Sequence, residues 1–237
     1  MMATIVLIHG AFADASGWTD VVTNLKRDGH TVYAPPNPLR SLSTDAAYVR
    51  SFLETLEGPV VLVAHSYGGA VITNAATGLE HVKALVYIAG FALDEGETVE
   101  AATRLAGEPP DLLSVVVIRP FPGAGEGNGD AYLNPAVFPE VFCQDLPTEV
   151  GAAMAASQRP AALATLGGPS GAPAWRGIPS WYLVASSDRV IPPGAERVMA
   201  ERAGATTVEI ESSHVAMISH PDEVTSLVRD AVAATAG

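Results

Sequence analysis

Ser66 stands in the run Ala64-His65-Ser66-Tyr67-Gly68-Gly69, directly after the apolar segment Val60 to Ala64. A serine with small residues two positions before and after it suits a sharp strand-to-helix turn, the nucleophile elbow, where larger side chains would collide with neighbouring backbone. The usual first glycine is Ala64 here, larger by one methyl group. Such a turn lifts the Ser66 hydroxyl above the carboxyl edge of a sheet and aims the Tyr67 N–H where an oxyanion would develop. The competing reading is a tight turn whose serine only caps the helix. A serine hydroxyl is a poor nucleophile until a base takes its proton, and that base is a histidine delivered from elsewhere in the chain. Of the six histidines only His214 and His220 follow the last strand pattern, where the order nucleophile, acid, base puts it. His214 comes directly after Glu211-Ser212-Ser213 and is favoured. His220, before Pro221, reads as a loop or capping residue. The acid that orients the imidazole is Asp188, in the loop Ala185 to Arg189, with Asp94 as the alternative. Asp94 lies in Asp94-Glu95-Gly96-Glu97 and also reads as a solvated turn residue. A second oxyanion donor comes from His9-Gly10-Ala11-Phe12, Ala11 N–H ahead of Phe12 N–H, with Gly10 giving the backbone freedom to turn its amides inward. His9 reads equally as a satisfied structural histidine.

Elements of a particular kind must hold these residues. Ile5 to Ile8 is a β-branched and aliphatic run, the pattern of a strand covered on both faces. Trp18 to Arg27 has helical spacing, Thr31 to Ala34 is a short strand, and Thr44 to Leu56 is a helix capped by Thr44 or Ser43. Val60 to Ala64 is the clearest strand, followed by a helix from Gly69 to about Thr77. Ala84 to Ala89, Trp181 to Ala185 and Thr207 to Ile210 are further strands, and the last helix runs from about Asp222 to Ala234. Strands alternating with helices specify a mostly parallel sheet between helical layers. Between Asp94 and Pro179 the alternation fails. This stretch is rich in Gly, Pro and Ala, with Phe121 to Gly129 reading as turn or mobile loop and short helices at about Pro135 to Val141 and Pro147 to Ala156. It reads as a small, mainly helical insertion. No internal repeat is visible.

Composition narrows the partners. The 237 residues are 48% hydrophobic and 16% charged, enough to bury a sizeable core. A net charge of −13 argues against nucleic acid and against anionic membrane surfaces. Single Cys143 excludes an intramolecular disulfide and a multi-cysteine zinc site, and reads as an isolated buried thiol. No phosphate-binding loop follows a strand, and the spacing of His214 and His220 matches no metal motif, so no cofactor and no metal is expected. The first ten residues lack the pattern of a secretory signal, which points to a soluble cytoplasmic protein.

With these residues assembled, the chain resembles the α/β-hydrolase superfamily over nearly its whole length. More narrowly it is similar to the branch of plant methyl esterases and hydroxynitrile lyases with their small bacterial esterase relatives. The resemblance is carried by Val6 to Ala11 with Trp18, Gly29 to Val32, Val61 to Gly69, Ser187-Asp188 and Ser213 to Met217. It implies Ser66, Asp188 and His214 as a triad, Ala11 and Tyr67 as the oxyanion hole, a core of residues 1–94 and 171–237, and a cap of residues 95–170. The lyases of that branch carry a lysine directly after the catalytic histidine, where this chain has Val215. The expectation is therefore a cofactor-independent serine esterase acting on a small neutral ester, with the oligomeric state open, a homodimer included. A lyase or carbon–carbon hydrolase on the same triad, and a ligand-binding relative that kept the pocket, are the alternatives. Phe121, Tyr132, Phe138 and Phe142 are expected to make the lid apolar.

Overall fold

The computed structural model describes residues 2–107 and 112–235. In chain order the first half comprises β1 (Thr4–Ile8), a 3-10 turn (Ala15–Trp18), α1 (Thr19–Arg27), β2 (Thr31–Tyr33), α2 (Leu42–Leu53), β3 (Val60–Ser66), α3 (Tyr67–Ala75) and β4 (Val82–Gly90). The middle contains α4 (Val99–Ala102), β5 (Val116–Arg119), β6 (Asp130–Leu133), α5 (Phe138–Phe142), α6 (Thr148–Ser157), β7 (Ala161–Ala162) and α7 (Ala164–Gly167). The chain then returns through β8 (Ser180–Ala185), α8 (Pro193–Arg202), β9 (Thr206–Ile210), α9 (Ala216–Ser219) and α10 (Pro221–Ala234).

Six strands form one sheet in the order β2-β1-β3-β4-β8-β9, and every neighbouring pair is parallel. All seven residues of β3 are buried, as expected of a central strand covered on both faces, with α2 packed on α3 and α1 on α10. Each fully buried Val or Leu contributes about 1.5–3 kcal/mol, so such a run resists displacement toward solvent. The edge strands β2 and β9 are partly exposed and pair on one side only. Parallel strands deliver the loops after β1, β3, β8 and β9 to one edge. The chain changes direction across the sheet between β1 and β3, and the crevice this leaves at the carboxyl ends is where parallel α/β folds bind ligands. Ser66 closes β3 beside it, and His9 to Phe12 follow β1 on the other side.

Two local expectations change. Helix α2 starts earlier than Ser43 or Thr44: Ser41 is its cap, extended at φ −164°, and its hydroxyl accepts the Thr44 N–H at 3.3 Å. Starting there turns Leu42 and Asp45 inward, where both are buried. The insertion does hold helices at its two expected places, α5 and α6, but it also contains an antiparallel sheet, β5-β6-β7. Its strands of four, four and two residues are too short to show alternation. Among the described residues no helix is long and apolar enough to cross a membrane.

Candidate active site

Strand β3 ends in a backbone that a serine rarely adopts. Ser66 has φ 53° and ψ −127°, a strained conformation costing on the order of 1–3 kcal/mol that the surroundings must impose. The Ser66 carbonyl accepts the Phe91 N–H at 3.1 Å. The two glycines that follow are required by contact: a Cβ on Gly68 would stand 2.6 Å from the Ile8 carbonyl oxygen, and one on Gly69 2.7 Å from the Phe91 nitrogen. Ala64, in place of the first glycine, is fully buried in register with Ile8 and Tyr87, so its methyl group is accommodated within the sheet. Gly10 is needed for space rather than for backbone freedom. Its φ is not positive, and a Cβ there would lie 2.6 Å from Ser66 Cβ and 3.2 Å from Ser66 Oγ.

The oxyanion candidates separate cleanly. Tyr67 opens α3, so its N–H belongs to the first turn, where backbone donors have no partner within the helix. Its hydroxyl donates to Asp45 at 2.8 Å, tying the start of α3 to α2. Phe12 N–H donates to the Arg159 carbonyl at 3.0 Å and is spent, with Phe12 itself at φ 60°. Ala11 N–H remains from the two alternatives. His9 is a structural residue: Nδ1–H donates to the Gly10 carbonyl, Nε2 accepts from Asn37 N–H, and burial holds its pKa below the usual histidine value.

Asp188 and His214 meet at the same edge. Asp188 Oδ2 accepts from His214 Nδ1 at 2.5 Å with both side chains fully buried. The other carboxylate oxygen accepts from Val190 N–H at 2.6 Å and Ile191 N–H at 3.0 Å. With Nδ1 committed to Asp188, Nε2 carries the free lone pair, and it has no hydrogen-bond partner. Ser66 makes no hydrogen bond to it. Asp94 pairs instead with Arg176 at 2.6 Å on the surface, and His220 lies at the junction between α9 and α10.

Several residues around this pair carry no signature in the sequence. His65 Nε2–H donates to the His214 carbonyl at 2.8 Å, its ring lies 4.6 Å from the His214 ring, and burial followed by the neighbouring His214 holds its pKa well below normal. Gln144 Nε2 donates to the Ser187 carbonyl at 2.6 Å, next to Asp188. Asp145 accepts from Ser213 N–H at 2.8 Å, next to His214. Burial works to raise the Asp145 carboxyl, but hydrogen bonds from Ser213 and Ser219 hold it below its usual value. Of the four aromatics expected in a lid, Phe142 packs on His214 at 5.1 Å and Phe138 packs on Phe142 at 4.8 Å. Phe121 and Tyr132 instead lie beneath the guanidinium groups of Arg40 and Arg119. Cys143 is buried, which pushes its thiol up to about 11.

A strained serine closes β3 and a buried Asp–His pair follows β8 and β9 on the same sheet, and the model of the alpha/beta hydrolase family matches residues 5–227. The chain belongs to the alpha/beta hydrolase family. This hydrolase is 30% identical to a pyrethroid hydrolase of Sphingobium wenxiniae over 95% of its own length and 86% of that protein's. It is 33% identical to a carbendazim hydrolyzing esterase of Nocardioides, over 47% of its own length and about half (51%) of the esterase's. The crystal structure of a pyrethroid hydrolase from Sphingobium faniae superposes with a TM-score of 0.81 at 25% identity, covering 98% of both chains. A methylesterase from Arabidopsis shares the fold, with a TM-score of 0.79 at 19% identity over 98% of this hydrolase and 99% of that chain.

Proposed function

We propose that this hydrolase is a serine esterase that cleaves a small neutral carboxylic ester through an acyl-enzyme. Ser66 attacks the ester carbonyl while His214 Nε2 takes its proton, and Asp188 holds the imidazole and stabilises the imidazolium. The tetrahedral oxyanion rests on the Ala11 and Tyr67 N–H groups. His214 then protonates the leaving alcohol, and a water activated by the same nitrogen releases the acid. The single observation that carries this reading is the buried 2.5 Å contact of Asp188 with His214, whose Nε2 is left bare at the sheet edge where Ser66 ends β3. The esterase and hydrolase names of the relatives support the reaction class. Val215, buried and aliphatic where a lyase of the related branch has lysine, supports hydrolysis over carbon–carbon cleavage. In this reading residues 95–170 are the cap, with Phe142 over the base, and residues 1–94 and 171–237 the catalytic core. Cytoplasmic location and a small-molecule ester as the partner belong to the same proposal.

Turnover of a small aryl ester and labelling by an aryl phosphonate test it. The expected result is hydrolysis with one phosphonyl group on Ser66, both lost in Ser66→Ala. Undiminished turnover in Ser66→Ala, or a label on any other residue, overturns it.

A further inference from the structure

Glu196, in the first turn of α8, is fully buried and takes no part in the chemistry above. Its Oε2 accepts from Ala185 N–H at 3.0 Å, at the end of β8, while Oε1 is buried with no donor on it. Its carboxyl lies within hydrogen-bonding reach of the Asp188 side chain. The other ionisable groups facing it offer no counter-charge at close range. Arg197, next on α8, is forked onto Glu209 of β9 with contacts of 2.9 and 2.6 Å, and the Tyr182 hydroxyl of β8 donates to the Gly90 carbonyl at 2.5 Å. Two carboxyls side by side in a dry site do not both ionise. Asp188 accepts from Val190 N–H, Ile191 N–H and the His214 ring, whereas Glu196 has one backbone donor, so of the two carboxyls Glu196 is the less supported as an anion.

We propose that Glu196 is a positioning residue for Asp188, a neutral carboxylic acid whose Oε1–H donates to the Asp188 carboxylate while Oε2 takes the Ala185 N–H. The two contacts bind both ends of the turn from Ala185 to Asp188, which is itself closed by the Asp188 N–H on the Ala185 carbonyl at 3.1 Å. Held this way, Asp188 keeps one oxygen on His214 and shares its charge with a donor behind it. Burial first, and the Asp188 charge second, drive the Glu196 carboxyl well above the usual carboxylate range, in keeping with a retained proton. The proposal rests on the reading of Asp188 as the catalytic acid.

The test compares Glu196→Gln, Glu196→Leu and Asp188→Ala in the full-length enzyme. In Glu196→Gln the amide oxygen accepts from Ala185 and the amide nitrogen donates to Asp188, so both contacts survive. Its kcat is expected within about threefold of the unmutated enzyme, with the acid limb of kcat/KM in place. Glu196→Leu loses both contacts and is expected to lower kcat by about tenfold or more at little cost in KM, the loss of one charge-assisted hydrogen bond. Its acid limb moves up, because an undamped Asp188 stabilises the imidazolium more. A neutral acid that ionises on unfolding also costs stability above pH about 4.5, so Glu196→Gln should raise Tm more at pH 8 than at pH 5. An acid limb shifted down in Glu196→Gln, or an equal Tm change at both pH values, shows a charged Glu196 and overturns the proposal. So does a Glu196→Leu enzyme with unchanged kcat and limb. Full activity in Asp188→Ala removes the acid assignment, and with it the positioning role, while the Tm comparison still reports the Glu196 proton.

Discussion

At the scale of the residue, the site is set by a few close contacts that tolerate no extra atom. Ser66→Ala removes the proposed nucleophile and is expected to lower kcat by about 10³-fold or more, measured on an aryl ester. Gly10 has a sharper role. A methyl group there would have to share space with Ser66 Cβ and Oγ, at 2.6 and 3.2 Å. Gly10→Ala should therefore cost about 10²-fold in kcat, since an ångström of misplacement at a nucleophile costs that much. Near-native activity in Gly10→Ala would show that the β1 loop gives way. Ser66, Asp188 and His214, the proposed nucleophile, acid and base, were singled out in the sequence because each closes or follows a strand pattern in the order such a triad requires, and the structure joins the last two. Gly10 was singled out for its conformational freedom, whereas its contact with Ser66 is made between two strands and has no local trace. Glu196 was not legible at all: in Pro193-Gly194-Ala195-Glu196 it looks like a solvated acid favouring a helix N-terminus.

At the scale of the element, the loops carrying Asp188 and His214 are held by the insertion. The segment after α5 reaches both: Gln144 bonds the Ser187 carbonyl and Asp145 the Ser213 N–H. Asp145→Ala should lower kcat by about tenfold with KM little changed, because His214 loses a fixed neighbour rather than the substrate a contact. The pH dependence has a definite sign. A carboxyl held below its ordinary value stabilises the fold above the unfolded value near pH 4 and loses that contribution as pH falls through the lower folded value. The Tm difference between the unmutated enzyme and Asp145→Asn should thus be largest above pH 4 and shrink below it. Equal differences at pH 3 and pH 6 would count against the carboxylate. The parallel strands and most helices were readable from their periodicity. The antiparallel sheet β5-β6-β7 was not, because short strands paired across turn-rich sequence leave too little pattern to find.

At the scale of the whole molecule, three buried groups shape stability against pH. His9 and His65 have lowered pKa values, so below about 6.5 the unfolded chain binds protons that the fold refuses, and each subtracts up to about 1.4 kcal/mol per pH unit on acidification. Glu196, raised, acts in reverse and subtracts as pH climbs above about 4.5. Together they put their stability maximum near pH 6.5, which denaturant unfolding from pH 5 to 8 checks; a curve rising steadily to pH 8 contradicts it. The net charge of −13 makes a separate prediction at this scale: at low salt a neutral ester should turn over faster than its anionic analogue. The residues between β4 and β8 touch each loop of the proposed site. Arg159 holds the loop after β1, Gln144 the loop after β8, Asp145 the loop after β9, and Phe142 lies on the His65 and His214 rings. If the proposed cap and these loops open together, the amides of Phe12 and Ser213, bonded to Arg159 and Asp145, should exchange at a common rate, and unequal rates would show that they open separately. On the proposed triad, opening of that cap would free the loops bearing Asp188 and His214 at the same moment as it admitted water, so water would meet an unassembled site.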